Sequence, residues 1–243
     1  GVSRGASILP TKVLADEGFG TFEQIMAGMV WASGLAVPGY SYPSGWTIPA
    51  NPNPAQVMNL SLGGRVGECP AELAMITSYL ASQDVVVVVS AGNSSQPTGM
   101  FAPANCPGVI TVAATGPYDE RAYYSNFGSQ VDISAPGGNF DYEYFAEATG
   151  GHFGAGVFST TKVNGADSYA WFQGTSMAAP HVTGVIALLL ASDPGLGFSG
   201  VYDAITSSAI PMSADQCDRP SGEECGAGLL DANAALGGTP SLP

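Results

Sequence analysis

Gly174-Thr175-Ser176-Met177-Ala178-Ala179-Pro180-His181-Val182 is the stretch from which the organisation of this chain can be worked out. It opens an apolar segment, residues 175–191, that predicts a helix buried in a core. Ser176 lies at or just inside the predicted helix start, where its own N–H is free and the helix dipole favours an anion. Those are the needs of a nucleophile that generates an oxyanion, although a serine at this position can also be a simple helix cap.

The rest of the chain alternates between strand and helix character. Apolar and β-branched runs predict strands at 6–14, 57–62, 85–89, 109–113 and 132–135. Helical spacing predicts helices at 22–36, 71–83 and 199–207, the first with Thr21 as its N-cap. The Gly-rich residues 138–169 are predicted to be irregular. Strands that alternate with helices indicate an α/β fold with a mostly parallel sheet.

Length, composition and charge narrow the class of protein. The 243 residues contain no internal repeat and no long linker, which predicts a single domain over 1–243. With 6 basic and 20 acidic groups the formal charge is −14, so nucleic acid is not an expected partner, because phosphate binding needs clustered Lys and Arg. The apolar run 182–191 is too short for a membrane span and is interrupted by Thr183 and Gly184, so we expect no membrane partner.

The four cysteines allow two disulfides in three possible connectivities. Cys217 and Cys225 bracket a short polar loop that a bridge could close, and Cys69 would then pair with Cys106. This pairing predicts an oxidising compartment and a secreted protein, with four reduced thiols as the alternative. The spacing C-x-x-C is absent, so a thiolate metal site is not expected.

Two more segments after predicted strands contain residues that could bind a reacting peptide. Asn93 follows Ser90-Ala91-Gly92 at the end of the valine strand, where its side-chain amide could donate to an oxyanion, worth about 3 kcal/mol in a transition state. A simple Asn turn is the alternative. The segment 59–64 could expose a strand edge to which an extended peptide adds through main-chain hydrogen bonds.

Taken together, these segments resemble the subtilisin family of serine proteases. The matching pieces occur in family order up to about residue 192; they are 1–14, 59–64, 90–93, 103–112, 124–128 with 132–137, and 174–182. The nine-residue serine motif is highly specific, whereas the others are individually weak. The resemblance implies a three-layer α/β/α domain and a secreted endopeptidase that cleaves protein or peptide substrates through an acyl-enzyme on Ser176.

The resemblance also implies roles for particular residues. Ser176 would be the nucleophile, and Asn93 with the Ser176 N–H would form the oxyanion hole. The substrate backbone would lie between two edges, Gly18-Phe19-Gly20 and Ser61-Leu62-Gly63. Ala91-Gly92 would form one wall of the first specificity pocket, whose small uncharged lining favours a large apolar side chain.

No cofactor is expected for catalysis, but the resemblance implies a possible structural calcium ion. The carbonyls of Pro107 and Val109 and the carboxylate of Asp132 match a calcium site of several family members, and oxygen ligands suit a hard cation. A strand-start aspartate without metal is the alternative. The Ala102–Pro103 bond falls where the family carries a cis peptide.

The departures from the family concern the base and its carboxylate. In the family both precede the segment that corresponds to Gly1. His181 is predicted to be structural, within the serine helix, and His152 to be a surface residue in a Gly-rich loop. We therefore expect the C-terminal part of such a domain, lacking its N-terminal strands, with the Asp and His carried by a missing N-terminal segment or a companion chain.

That expectation has consequences for the isolated chain. Strands that lose a neighbour leave backbone N–H and C=O groups unpaired, so we expect marginal stability and no peptidase turnover. A non-catalytic peptide-binding protein is the alternative function, although Ser176 and Asn93 together argue against it. An esterase of the α/β-hydrolase kind is disfavoured, because no Gly-x-Ser-x-Gly turn surrounds Ser176.

Overall fold

The computed structural model describes residues 1–140, 155–220 and 222–239. The α-helices in this part of the chain are α1 (Phe22–Ser33), α2 (Ala71–Ser82), α3 (Thr175–Ser192), α4 (Phe198–Ser207), α5 (Ala214–Cys217) and α6 (Ala232–Ala235), and two short 3-10 helices cover Thr98–Met100 and Gly222–Cys225. The strands are β1 (Val57–Leu60), β2 (Gly64–Arg65), β3 (Val86–Ser90), β4 (Phe101–Ala102), β5 (Ile110–Thr115), β6 (Ile133–Pro136), β7 (Val157–Val163) and β8 (Ala166–Phe172).

The centre of the fold is a four-stranded parallel sheet in the order β1-β3-β5-β6. Every side chain of β3 and of β5 is buried, as the apolar runs predict. Because all the strands are parallel, their carboxyl ends meet at one edge of the sheet. The segments that follow β1 and β3 therefore lie side by side, and this places the candidate site.

Helices cover both faces of this sheet. Val87 and Val89 pack with α1 and α2 on one face, in a cluster that includes Ile76. Val86 and Val88 pack with α3 and α4 on the opposite face. The alternation of the valines follows the period of two in a strand, and it gives the predicted three-layer α/β arrangement.

The helix α3 is the central helix on the face of the sheet that Val86 and Val88 line. It is long and apolar enough to cross a membrane by length and composition. In the fold it contacts β1, β3, β5 and β6, and Ala178, Val182 and Ile186 are fully buried there. The prediction of a core helix over this segment is therefore confirmed, with the end one residue later than expected.

The predicted strand over residues 6–14 is wrong. These residues form neither helix nor strand, and no other strand of the described residues lies beside them to complete a hydrogen-bonded ladder. Pro10 also lacks the N–H that a ladder needs. Leu9 and Val13 still pack against the hydrophobic cluster that includes α1 and α2. The apolar pattern therefore indicated side-chain burial and not hydrogen bonding to a neighbouring strand.

The prediction of irregular structure over 138–169 is also wrong in its second half. β7 and β8 form an antiparallel hairpin that pairs Val157 with Phe172 and Val163 with Ala166. The connection is Asn164-Gly165, with φ of 51° and 81°, the two-residue turn that suits the twist of a hairpin. The Asn-Gly pair was present as a sequence signal. Residues 141–154, including His152, lie outside the described part of the chain.

Several boundaries have identifiable causes. Thr21 caps α1 in a reciprocal capping box with Gln24, as predicted. The helix ends at Ser33 and not at residue 36, because Gly34 takes a left-handed conformation with φ of 68°. β1 ends at Leu60, two residues before the predicted end.

Both predicted disulfides are present. Cys69 and Cys106 have Cα atoms 5.1 Å apart, and Cys217 and Cys225 have Cα atoms 6.0 Å apart. The Ala102–Pro103 peptide is cis, as the resemblance implies.

Candidate active site

The candidate active site is a cavity of about 250 Å³ where the ends of β1 and β3 meet the start of α3. None of the described residues that line it is charged. The predicted site residues that it brings together are Leu62, Gly63, Ala91, Gly92, Asn93 and Ser176. The register explains this, since all four residues of β1 pair in parallel with residues 86–89 of β3 and both strands end at the same edge of the sheet.

Ser176 is the second residue of α3, in the first turn, where backbone N–H groups have no intrahelical acceptor. Its Oγ donates to the Ser61 carbonyl at 3.4 Å, which is a long contact. The Ser61 hydroxyl in turn donates to the Ser176 carbonyl at 2.8 Å. Ser61 therefore holds the first turn of α3 against the end of β1.

Pro180 explains why the Ser176 carbonyl is free to accept that bond. In a helix the N–H of residue 180 would donate to the carbonyl of residue 176, and proline has no N–H. Ser61 supplies the missing donor from outside the helix. Asn59 extends the contact, because its Nδ2 donates to the Ser61 hydroxyl at 2.9 Å and its Oδ1 accepts from Thr183 at 3.1 Å.

Asn93 is oriented by Thr175, a residue to which the sequence analysis gave no role. Its Oδ1 accepts from the Thr175 N–H at 2.9 Å and from the Thr175 hydroxyl at 2.8 Å. Because Oδ1 is engaged on that side, Nδ2 is directed away from Thr175, next to Gly174. A side chain on Gly174 would start 3.5 Å from Nδ2 and 3.6 Å from the Ser176 nitrogen, so this glycine keeps the space between the two donors open.

The loop that carries Asn93 is held by a second buried amide. Asn126 is fully buried, and its Oδ1 accepts from the N–H groups of Ser94 and Gln96 at 3.0 and 3.1 Å. Its Nδ2 donates to the Ala91 carbonyl at 2.8 Å. Sequence reasoning also missed this residue, because nothing in the pattern Tyr124-Ser125-Asn126 indicates where the side chain points.

Other predicted residues lie elsewhere. Gly18-Phe19-Gly20 forms a turn before α1, closed by the Ala15 N–H on the Phe19 carbonyl at 2.8 Å, and it does not line the cavity. Phe19 is 80% exposed. His181 places Nδ1 2.8 Å from the carbonyl of Met177 in its own helix.

Asp132 is the candidate calcium ligand with a side-chain charge. Its Oδ2 accepts from the Thr111 N–H at 2.7 Å, and its Oδ1 accepts from the Tyr202 hydroxyl at 3.0 Å. Burial raises the pKa of Asp132 above its ordinary value, and these hydrogen bonds oppose that shift. The described residues contain no group of three or more His, Cys, Asp or Glu placed to hold a metal ion.

These contacts are those of a structural carboxylate, and they do not by themselves make a calcium centre. A cation shared with Pro107 and Val109 would have to compete with both donors for the Asp132 oxygens. Calcium at this position stays a prediction, and no catalytic step is derived through it.

Comparisons with known proteins show the family to which the chain is similar. A sequence profile described as the subtilase family matches residues 1–228. An extracellular protease of Xanthomonas campestris pv. campestris is 37% identical over 236 residues, which cover 97% of this chain and 36% of that protein. An extracellular basic protease of Dichelobacter nodosus is 33% identical over 240 residues, with 97% and 35% covered. The chain thus spans about a third of the length of these two relatives.

Solved structures give the same result for the fold. A protease of Pseudoalteromonas arctica superposes with a TM-score of 0.81 at 38% identity, over 98% of this chain and 64% of that one. A cold-adapted subtilisin-like serine proteinase superposes with a TM-score of 0.68 at 27% identity, over 96% and 69% of the two chains.

Proposed function

The chain belongs to the subtilase family, and from this premise we propose that it supplies the nucleophile and the oxyanion hole of a secreted serine endopeptidase. The observation that carries the proposal is the convergence of Ser176 with the oriented amide of Asn93 in one uncharged cavity. If Ser176 were only a helix cap, it would not need the amide of Asn93, which follows β3, beside it.

The proposed reaction is acyl transfer to Ser176. A base outside the described residues takes the Ser176 proton as Oγ attacks the substrate carbonyl carbon. The resulting oxyanion accepts hydrogen bonds from Asn93 Nδ2 and the Ser176 N–H, which stabilises the tetrahedral intermediate. Collapse breaks the C–N bond, the leaving amine takes the proton, and water then hydrolyses the ester on Ser176 by the same steps.

The proposed substrates are extended polypeptides. The backbone of 61–63 leaves the sheet beside Ser176 and offers main-chain groups to a peptide strand. The cavity is lined mostly by small residues, with Leu62 and Phe101 as its large apolar members, and this supports a preference for a large apolar side chain. The substrate edge at Gly18-Phe19-Gly20 would require a peptide that extends beyond the cavity.

The proposed setting is extracellular. Two disulfides in a chain of this size are typical of oxidising compartments. Relatives named as extracellular proteases support the same compartment. The general base and its carboxylate are proposed to come from a segment upstream of Gly1 or from a companion chain. A structural calcium ion at Asp132 is part of the proposal.

The proposal is tested by labelling with a fluorophosphonate probe, which reacts with activated serines. The full-length product that contains this chain should be labelled at Ser176, and Ser176→Ala should abolish the labelling. Asn93→Ala should keep the fold and lower the peptidase kcat by about 10²- to 10³-fold. The isolated 243-residue chain should show no turnover.

Two outcomes would contradict the proposal. If the full-length product binds peptides but neither reacts with the probe nor cleaves them, the non-catalytic alternative replaces it. If the isolated chain hydrolyses peptides by itself, the base lies within these residues and the assignment of an external base is wrong.

A further inference from the structure

The β7–β8 hairpin carries aromatic side chains that the chemistry at Ser176 does not use. Cross-strand pairs join Phe158 to Trp171, Thr160 to Tyr169 and Lys162 to Asp167. Because side chains alternate along a strand, these residues share one face of the hairpin. We call the rings of Phe158, Tyr169 and Trp171 the aromatic face.

The rings form a contiguous surface open to solvent. Phe158 stacks on Tyr169 with centroids 5.4 Å apart and an interplanar angle of 19°, and it meets Trp171 at 4.9 Å. Phe158 is 55% exposed and Tyr169 is 64% exposed. Contacts between these rings stabilise the hairpin, yet they leave outward surfaces that nothing in the described residues covers.

The hairpin is anchored directly to the nucleophile turn. Phe172, the last residue of β8, is followed by Gln173 and Gly174, and α3 begins at the next residue. Gln173 accepts from the Phe140 N–H at 2.7 Å and donates to the Tyr123 hydroxyl at 3.1 Å, while the Gly174 N–H donates to the Gly137 carbonyl at 2.9 Å. Ser176 lies seven positions after Tyr169, so their Cα atoms are at most about 25 Å apart.

Charge indicates what kind of partner fits. The chain has a net charge of −14, but residues 157–172 carry only Lys162 and Asp167. These two pair at 3.6 Å near the turn. The aromatic face is thus a neutral surface on an acidic protein, and it suits uncharged apolar, aromatic or proline side chains rather than a polyanion.

We propose that the aromatic face is an exosite for the polypeptide substrate, which binds apolar residues of an extended chain outside the Ser176 cavity. This inference rests on the proposed peptidase function, since the occupant is the same chain that reaches Ser176. Substrates long enough to reach the hairpin gain affinity there, and short peptides do not.

The experiment compares two substrates on the full-length protein. One is a short chromogenic peptide, and the other is an uncharged peptide of about 20 residues, about 65 Å when extended, with the same residues around the cleaved bond and aromatic and proline residues farther along. The variant is Phe158→Ser with Tyr169→Thr. The matched control is Val163→Thr, which removes a 51%-exposed apolar side chain from the opposite face.

We expect the ratio of kcat/KM for the long to the short peptide to fall about tenfold in the double variant, the size expected of two lost aromatic contacts. The ratio should stay unchanged in Val163→Thr, and kcat/KM for the short peptide should stay unchanged in both. If the double variant fails to fold, Tyr169→Thr alone should lower the ratio about threefold, and Tyr169→Phe should restore it.

An unchanged ratio in a folded variant that cleaves both peptides overturns the exosite and leaves the proposed function intact. The exosite is also overturned if the double variant loses binding to an insoluble neutral polysaccharide while the ratio of kcat/KM for the two peptides stays unchanged. The aromatic face would then bind a glycan. If the wild-type full-length protein cleaves neither peptide, the proposed function itself fails.

Discussion

Thr175→Val tests how Asn93, the proposed oxyanion donor, is oriented. Thr175 is fully buried, and valine has nearly its shape, so the change removes a hydroxyl without opening a cavity. The hydroxyl donates to Asn93 Oδ1 at 2.8 Å and accepts from the Gly92 N–H at 3.2 Å. The Thr175 N–H still donates to Asn93 at 2.9 Å, so the amide keeps one of its two restraints.

The expected effects follow from these contacts. Losing the bond to Asn93 and leaving the Gly92 N–H unpaired should lower the free energy of unfolding by about 2 kcal/mol. The oxyanion interaction, worth about 3 kcal/mol when Asn93 is present and aligned, should lose about half its value. In the full-length enzyme kcat should therefore fall about tenfold with KM unchanged, because the interaction is made only in the transition state.

The assay is steady-state kinetics on a short peptide, with unfolding in denaturant measured on the same preparations. Thr175→Ser keeps the hydroxyl and is the matched control, for which we expect nearly wild-type kcat. In an Asn93→Ala background Thr175→Val should cost no further kcat, because the donor that it orients is gone. The reasoning is refuted if the two changes lower kcat additively, or if Thr175→Ser is as damaging as Thr175→Val.

Three further predictions concern stability and the incomplete site. Gly92→Ala should lower the free energy of unfolding by about 2–3 kcal/mol in denaturant titrations, because φ is +106° and the new Cβ would collide with the Asn126 amide, whereas Gly64→Ala, where nothing lies within 4 Å, should have a much smaller effect. Burial raises the pKa of Asp132 in the folded state, so the free energy of unfolding should fall as the pH rises from the ordinary aspartate pKa through this raised pKa. Asp132→Asn should remove that pH dependence. If the calcium prediction is correct, added Ca²⁺ should raise the melting temperature of the wild type but not that of Asp132→Asn. The isolated chain should aggregate on concentration in light-scattering measurements, because β1 has an unpaired edge in the described residues, and a soluble, stable monomer would contradict this.

The features that sequence reasoning predicted correctly depend on composition and period. The run of valines favoured a strand buried on both faces, and Asn93, which follows it after Ser90-Ala91-Gly92, was expected at the carboxyl edge of the sheet. The apolar run after Ser176, interrupted by Thr183 and Gly184, favoured a core helix, and the burial of α3 confirms it. Such inferences do not require knowledge of the side-chain contacts between residues that are distant in the sequence.

The features it missed depend on partners that are distant in the sequence. Thr175 and Asn126 act through side-chain orientation, and the residues they hold are 82 and 30 or more positions away. The strand predicted over 6–14 failed for a related reason, since a strand exists only with a neighbour, and apolar character shows burial alone. The β7–β8 hairpin differs, because its Asn-Gly turn was a local signal in an otherwise Gly-rich region.

The arrangement around Ser176 indicates that Ser176 and Asn93 can be positioned independently of the general base and its carboxylate. Asn93, Thr175 and Ser61 are fixed by the ends of β1 and β3 and by the start of α3, all of which are within this chain. The Ser176 hydroxyl has only a 3.4 Å contact with the Ser61 carbonyl, so a stronger acceptor can replace it at little cost. An incoming imidazole therefore needs to displace one weak bond and no part of the oxyanion hole. We therefore expect that a base supplied from outside these residues, as proposed, would add activity without reorganising Asn93.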